Sequence, residues 1–204
     1  MDEKLAITRL KRGDLKGLEF LVRHYQVQAV HTAYLITADR FLAEEIVQAV
    51  FLKLTGKIDQ FDMQQSFPPW FFRIVVNDAI KAAKRQRRHA PLDTLSESAL
   101  NWLNDPSQRP EALTEARETR EAVWNAIQSL SPEQRAVIVQ RHFLELNESE
   151  MVKELQQPPS TIKWWLHTAR KRLRELLSSY RAHNFSERTT QTRSSLSGEK
   201  YEEQ

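Results

Sequence analysis

Apolar residues recur three and four positions apart through most of the first 88 residues of the chain. This spacing places them on one side of an α-helix and predicts a bundle of amphipathic helices. The clearest series are Leu15, Leu18, Leu21, Val22 and Tyr25, and then Leu42, Ile46 and Val50. Segment 57–69 interrupts the pattern with two prolines, and a further helix is predicted from about Trp70 to Arg88. No part of the sequence requires a β-strand.

The second half of the chain carries strong signals for helix starts. Helical periodicity returns over 111–130, and Ser131 then combines with Pro132 and Gln134 into a capping box with proline in the first turn. Asn147 and Glu150 form a similar capping box, and Ser160 can cap the last helix. Three short helices are predicted, over about 132–144, 148–156 and 161–178. The break Gln-Gln-Pro-Pro over 156–159 has the length of the turn in a helix-turn-helix.

These patterns predict an all-α protein with two small helical domains joined by a flexible acidic linker. We expect an N-terminal domain over 1–89, a linker over 90–118, a C-terminal helix-turn-helix domain over 119–182 and a polar, disordered tail over 183–204. The linker contains scattered leucines and a tryptophan. They suit docking on another molecule or packing on this protein's own domains, and both alternatives stay open.

The net charge of +3 hides an uneven distribution. Segment 81–89 holds five Lys/Arg and no acid, and segment 160–181 holds six Lys/Arg and one acid. Between them, segment 90–119 holds six acids and two bases, a net charge of −4. Two basic surfaces separated by an acidic connector suggest two modules that bind a polyanion, although solvated helix faces also carry such runs.

Composition narrows the class of protein. The 204 residues include no cysteine, which excludes disulfides, thiolate metal sites and a cysteine nucleophile. No window approaches the roughly 18 apolar residues of a membrane span, and the charged N-terminus does not resemble a signal peptide. We therefore expect a soluble, cytoplasmic protein. His24 and His31 share a face without accompanying carboxylates, and no phosphate loop appears, so no catalytic residue, metal ligand or cofactor is predicted and the protein is not expected to be an enzyme.

The helix that follows Ser160 places its two tryptophans on different sides. Its core stripe consists of Ile162, Leu166, Ala169, Leu173 and Leu176. Trp165 lies at the border of that stripe, so packing is predicted for it. Trp164 lies on the opposite, basic side, where an indole can contact a thymine methyl group or a sugar in the major groove. Contact with another protein is the alternative for Trp164.

The helix over 70–88 separates its residues in the same way. Its outward side is predicted to carry Trp70, Arg73, Asn77, Lys81, Lys84 and Arg88. An aromatic ring, an amide and a row of bases suit unpaired nucleotides, through stacking, hydrogen bonds and phosphate contacts. The helix near 42–54 differs, because Phe51 and Leu52 are predicted to lie opposite its core stripe, with Glu44 and Gln48. Such a helix is either sandwiched within its domain or docked on a partner.

Three segments, taken in order, resemble the bacterial sigma factors of the extracytoplasmic-function (ECF) group. DRFLAEEIVQAVFLKL (39–54) resembles the helix of that family that binds the polymerase clamp. FDMQQSFPPWFFRIVVNDAIKAAKRQRR (61–88) resembles the segment that recognises the −10 element, and 130–176 resembles the domain that binds the −35 element. The resemblance covers about 14–88 and 119–177 and rests on the order and spacing of the segments.

The resemblance implies an alternative sigma factor that binds core RNA polymerase, recognises promoter DNA, initiates transcription and is controlled by an anti-sigma factor. It implies polymerase binding by Asp39, Glu44, Gln48, Phe51 and Leu52. It implies −10 binding by Phe61, Trp70, Arg73, Asn77, Lys81, Lys84, Arg85 and Arg88. It implies −35 binding by Lys163, Trp164, His167, Thr168, Arg170 and Lys171.

The helix-turn-helix departs from the family's pattern in three places, one of which is Val152, where the family often has a small residue. Trp164 and Trp165 stand where the family usually has a small polar residue and a basic one, and the turn over 156–160 lacks the usual glycine. Trp164 is therefore expected to meet either −35 DNA or an anti-sigma factor. A competing interpretation is an autonomous helix-turn-helix regulator that binds operator DNA without polymerase. That interpretation leaves Trp70 and Asn77 without a role.

Overall fold

The computed structural model describes residues 1–89 and 110–198, with side chains over 1–87 and 118–180, and in these ranges it is all-helical without a strand. The N-terminal helices are α1 (Glu3–Lys11), α2 (Leu15–Thr37), α3 (Arg40–Lys57), a 3-10 turn (Ile58–Gln60) and α4 (Phe67–His89). The remaining helices are α5 (Pro110–Gln128), α6 (Pro132–His142), α7 (Glu148–Leu155) and α8 (Pro159–Gly198). The all-α prediction is confirmed, whereas most of the predicted linker, residues 90–109, lies outside the described residues.

The N-terminal helices are started by aspartates and held together by a close backbone contact. Asp2, Asp14 and Asp39 each accept a hydrogen bond from a backbone N–H in the first turn of α1, α2 and α3. A Cβ at Gly17 would lie 2.2 Å from the carbonyl oxygen of Ala6. Only glycine therefore allows α1 to approach α2 this closely.

Aromatic rings fill the centre of the N-terminal domain. The ring of Tyr25 on α2 lies 5.6 Å from that of Phe67 and 5.7 Å from that of Phe71 on α4. Phe51 of α3 meets Phe71 at 5.1 Å, so α3 is packed on the side of α4 as well as on α2. α4 starts at Phe67, earlier than the predicted Trp70, because proline is compatible with the first turn of a helix.

The predicted capping boxes of the C-terminal domain are present. Ser131 and Gln134 satisfy each other's backbone N–H groups at the start of α6, as do Asn147 and Glu150 at the start of α7. Gln156 ends α7 in the left-handed conformation, with φ of 52° and ψ of 43°. A non-glycine residue thus makes the turn into α8. That helix begins at Pro159, so Ser160 falls within its first turn instead of capping it.

The two helical domains pack against each other through one continuous hydrophobic cluster. Trp124 of α5 is 2% exposed and stacks on Tyr34 of α2, with ring centres 4.8 Å apart and planes 16° from parallel. Phe143, just after α6, meets His31 of α2 edge to face at 5.9 Å. Helices α6 and α7 also contact α4. This docking brings the helix-turn-helix domain onto the N-terminal bundle.

The last helix is longer than the pattern predicts. α8 continues to Gly198, through most of the tail for which disorder is expected. A helix that is already nucleated can extend at low cost, because each added residue gains one backbone hydrogen bond. The domain boundaries themselves stay a prediction.

Candidate polymerase and nucleic-acid interfaces

The outward side of α3 carries a stripe of four side chains, which we call the α3 stripe: Phe41, Glu45, Gln48 and Leu52. Phe41 is 81% exposed and Leu52 is 72% exposed, although both are large apolar side chains. The residues stand four, three and four positions apart, so they follow one line along the helix. Exposed apolar side chains in line with polar ones are typical of a protein-binding surface.

Three residues predicted to bind polymerase occupy other positions. Phe51 is only 6% exposed and packs on Phe71, so at this residue the helix is sandwiched within its domain, which is one of the two alternatives, and Phe51 is not part of the exposed surface. Asp39 caps α3 and also accepts a hydrogen bond from the amide of Gln86, at 3.1 Å. Glu44 is half-exposed and pairs with Arg40 at 2.9 Å. Asp39 and Glu44 thus lie at the edge of the α3 stripe, and Phe51 lies behind it.

Trp70 is supported by other aromatic rings at the start of α4. It is half-buried, with ring centres 5.2 Å from Phe61 and 5.9 Å from Phe67. Phe61 itself is 3% exposed, and its carbonyl oxygen accepts a hydrogen bond from the ammonium of Lys11 at 2.7 Å. Direct contact of Phe61 with DNA would require it to leave the core. In this structure Phe61 instead positions Trp70, whose free side remains available for stacking.

The other outward residues of α4 fall into two groups. Lys81 and Arg85 are exposed, and Arg88 belongs to the last turn, where side chains lie outside the described residues. Asn77 donates from its amide to the carbonyl oxygen of Glu154 at 3.3 Å. Lys84 forms an ion pair with Glu133 at 2.6 Å. Part of the predicted −10 surface is therefore in contact with the C-terminal domain.

The carboxylates at this contact have shifted pKa values. Burial alone would raise the pKa of Glu133, but Lys84, its own backbone N–H and Ser131 outweigh it and hold the pKa below its ordinary value. Ionised Glu133 therefore stabilises the docked state. This stabilisation is lost as the pH falls through the lowered pKa of Glu133. Burial raises the pKa of Glu154, against the opposing charge of Arg73.

A buried arginine lies close to the same contact. Arg135 is 4% exposed, and burial followed by the like charge of Arg87 lowers its pKa to about 10, although Glu133 acts in the opposite direction. It remains protonated at neutral pH and donates to the side-chain amide oxygen of Gln128. The carboxylate of Glu133 thus interacts with two bases, Lys84 of α4 and Arg135 of α6.

The outward side of α8 forms a basic groove with a volume of about 390 Å³. Its lining consists of Glu148, Lys163, Leu166, His167, Arg170, Lys171 and Arg174. Trp164 is 60% exposed beside this groove, whereas Trp165 is half-buried against the core, as their positions on the helix predict. Thr168 is half-buried and accepts a hydrogen bond from the amide of Gln134 at 2.9 Å. Thr168 therefore ties α8 to α6, away from the groove.

Three of the surface residues are not among those predicted from the sequence. Phe41 and Glu45 complete the α3 stripe, and Glu148 lines the groove. Helical spacing could have found Phe41, eleven positions before Leu52. Glu148 comes from another helix, so only the tertiary structure brings it there.

The part of the chain that the structure describes gives no sign of a metal site or of a membrane-spanning helix. No group of three His, Asp or Glu residues there could hold a metal ion. No helix within the same ranges is long and apolar enough to cross a membrane.

Two family models match the chain, one in each helical domain. Residues 21–89 match sigma-70 region 2, and residues 120–173 match sigma-70 region 4. The chain is 26% identical over 179 residues to the ECF RNA polymerase sigma factor SigW of Bacillus subtilis, covering 85% of this chain and 96% of that protein. It is 27% identical over 177 residues to the ECF RNA polymerase sigma-E factor of Escherichia coli K12, covering 83% of this chain and 91% of that protein.

Solved structures share the fold at lower identity. CnrH, in complex with the cytosolic domain of CnrY, aligns with a TM-score of 0.59 at 20% identity, over 87% of this chain and 97% of that one. The sigma factor RpoE in complex with the anti-sigma factor NepR, from Bartonella quintana, aligns with the same TM-score and identity, over 78% of this chain and 97% of that one.

Proposed function

The chain belongs to the ECF group of RNA polymerase sigma factors, and we propose that its three outward surfaces divide the work of promoter recognition. It acts as an alternative sigma factor that binds core RNA polymerase and directs initiation at promoters with −10 and −35 elements. The observation that carries this conclusion is the order of the two matched regions, each with a basic and aromatic outward surface. Its place of action is the cytoplasm, where polymerase and promoter DNA are found.

The α3 stripe is the docking surface for core polymerase. Its exposed Phe41 and Leu52 give the apolar anchors that hot spots of protein interfaces need, and Glu45 and Gln48 supply the polar contacts between them. Phe51 supports this surface from behind. Asp39 and Glu44 act at its edge.

The outward side of α4 holds the unpaired −10 strand. Trp70 stacks on a base, and Asn77 offers an amide that can both donate to and accept from a base edge. Arg73, Lys81, Lys84, Arg85 and Arg88 neutralise phosphates. Phe61 acts through Trp70.

The groove of α8 holds the −35 duplex. Lys163, His167, Arg170, Lys171 and Arg174 line or flank one side of the helix, where they can meet phosphates and guanine edges in the major groove. Trp164 reaches the same duplex with its exposed ring, and Thr168 fixes the angle of α8.

An anti-sigma factor is the proposed regulator. The structures of CnrH and RpoE, which share this fold, carry protein partners, and RpoE's partner is an anti-sigma factor. The α3 stripe and Trp164 are the exposed apolar surfaces that such a partner can cover.

Binding measurements with purified components test the function. A promoter fragment should shift with this protein and core polymerase together, and far less with either one alone. An autonomous regulator, by contrast, would shift duplex DNA at the same concentration without polymerase.

A further inference from the structure

The side chain of Gln134 joins two helices of the C-terminal domain. Its amide oxygen accepts a hydrogen bond from the backbone N–H of Ser131 at 3.0 Å, which is part of the capping box at the start of α6. Its amide nitrogen donates to the hydroxyl of Thr168 on α8 at 2.9 Å. Because both ends of the amide are used, the two partners together fix the orientation of this side chain.

The hydrogen bonds continue from Thr168 to the turn of α8 that carries the tryptophans. The hydroxyl of Thr168 donates to the carbonyl oxygen of Trp164 at 2.8 Å and lies 3.2 Å from that of Trp165. A threonine side chain in a helix has two favourable rotamers, and the bond from Gln134 stabilises one of them. We call this series of contacts, from Ser131 through Gln134 and Thr168 to Trp164, the α6–α8 link.

The α6–α8 link supplies a direction that the apolar contacts between the two helices lack. Ala169 of α8 is completely buried and belongs to a small hydrophobic cluster with Leu130 and Ile138. Apolar contact is not directional, so a side chain as small as alanine allows a helix to rotate about its axis. A hydrogen bond depends on angle as well as distance, and the bond at the neighbouring Thr168 therefore fixes that rotation.

The rotation of α8 decides where the ring of Trp164 lies on a bound duplex. Side-chain atoms at the rim of a helix lie about 5–6 Å from its axis, so a rotation of about 20° moves them by about 2 Å. A gap of even about 1 Å forfeits much of a van der Waals contact. The contact that Trp164 makes with DNA therefore depends on Gln134, a residue of another helix.

The chemistry of Trp164 selects one feature of the major groove. Its ring is 60% exposed and is apolar apart from one N–H donor. Its neighbours Lys163, His167 and Lys171 are basic and suit phosphates and guanine edges. The apolar group that base pairs present in the major groove is the C5-methyl group of thymine. A thymine is therefore the base that an indole at this place favours.

We propose that Gln134 is a positioning residue for recognition of the −35 element: through Thr168 it holds Trp164 where the indole contacts the methyl group of one thymine. This inference rests on the proposed function, since it assumes that α8 binds that element. It adds the base that Trp164 selects and the residue that holds Trp164 in place.

Replacement of thymine by deoxyuridine removes only the methyl group and so measures its recognition. A promoter that this protein and core polymerase transcribe is prepared with each −35 thymine replaced in turn, and the complex of both proteins is titrated with each fragment. For the wild-type protein one replacement should weaken binding about three- to fivefold, as expected for the loss of one buried methyl group. Trp164→Ala should bind the natural and the replaced fragment equally.

Two substitutions break the α6–α8 link from its two ends. Gln134→Ala and Thr168→Val should each reduce the ratio of the two affinities to less than about twofold, and the double variant should reduce it no further, because both act on one contact. The ratio compares two fragments on one protein, so a general loss of stability does not change it.

Glu150→Ala is the matched control. It also removes the side chain that completes a capping box, but the box is that of α7, where Glu150 bonds to Asn147. It should lower the melting temperature about as much as Gln134→Ala does and keep the wild-type ratio of affinities.

The possible failures are distinguishable. A wild-type complex that binds every replaced fragment as tightly as the natural one, or a wild-type ratio in Trp164→Ala, overturns the contact of Trp164 with a thymine methyl group. A wild-type ratio in Gln134→Ala, or an equal loss of the ratio in Glu150→Ala, overturns the positioning role. Unchanged binding after replacement of the whole −35 element overturns the proposed function of α8, and this inference with it.

Discussion

Two neighbouring residues of α3, Phe51 and Leu52, should respond to truncation in opposite ways. Phe51 is 6% exposed with its ring 5.1 Å from Phe71, whereas Leu52 is 72% exposed on the α3 stripe. Phe51→Ala removes a buried aromatic ring, which costs about 3–5 kcal/mol. For a chain of this size that loss lowers the melting temperature by about 6–20 °C.

Leu52→Ala should leave the fold intact and weaken the docking of polymerase. A surface truncation of this kind changes the free energy of unfolding by no more than about 0.5 kcal/mol. An apolar anchor at the centre of an interface contributes about 1–2 kcal/mol, so affinity for core polymerase should fall about 5- to 30-fold. Leu15→Ala is the matched control, because Leu15 is 64% exposed on α2, away from the stripe.

Thermal melts followed by circular dichroism give the stability of each variant, and titration of labelled protein with core polymerase gives the affinity. Equally tight binding of polymerase by Leu52→Ala and Leu15→Ala would show that the α3 stripe is not the docking surface. A melting temperature of Phe51→Ala equal to that of the wild-type protein would show that the ring does not belong to the core.

Five further substitutions probe other parts of the molecule. Trp165→Ala should destabilise the chain by about 2–4 kcal/mol in thermal melts. Trp164→Ala should leave the melting temperature unchanged and weaken binding of a −35 duplex by about 1–3 kcal/mol. The reverse pattern would mean that Trp164 is the packing residue and Trp165 the DNA contact. Lys81→Ala should lower the salt slope of promoter binding by the polymerase complex by about one unit, equally across sequences, and an unchanged slope would remove it from the phosphate contacts. Gly17→Ala should cost about 1–3 kcal/mol in a denaturant titration, because its Cβ would meet the backbone of α1; a neutral result would show that α1 can move away. Gln156→Gly should raise the free energy of unfolding by up to about 1 kcal/mol, because it relieves a left-handed residue, and a clear loss of stability would contradict this.

The sequence predicts those features that depend on local patterns. Ser131 and Asn147 start helices because capping is decided within four residues, and the structure has both boxes. The opposite exposure of Trp164 and Trp165 follows from the turn of the helix and from the strong core stripe of α8.

The errors arise where a helix has more than one neighbour. Phe51 lies off the main stripe of α3 and is buried because α4 covers that side, with Phe71 as the contact. Periodicity within α3 cannot show that a second helix is there. Phe61 is a similar case, because an aromatic residue before a helix suits a core as well as a DNA surface, and only its contacts with Phe67 and Trp70 decide between them.

The docking of the two domains lies beyond local reasoning altogether. Asn77 and Glu154 are 77 residues apart in the chain, and no motif pairs them. The stack of Trp124 on Tyr34 likewise joins residues from different domains. Such contacts depend on the complementarity of whole surfaces, which a pattern of apolar positions does not encode.

The dependence of promoter recognition on both proteins is measured by transcription in vitro from fragmented genomic DNA, with core polymerase in the presence and absence of this protein. We expect a limited set of transcripts that start only when both are present, at sites that share one −10 and one −35 element. The same transcripts from core polymerase without the protein, or no transcripts although the two proteins form a complex, would contradict this expectation.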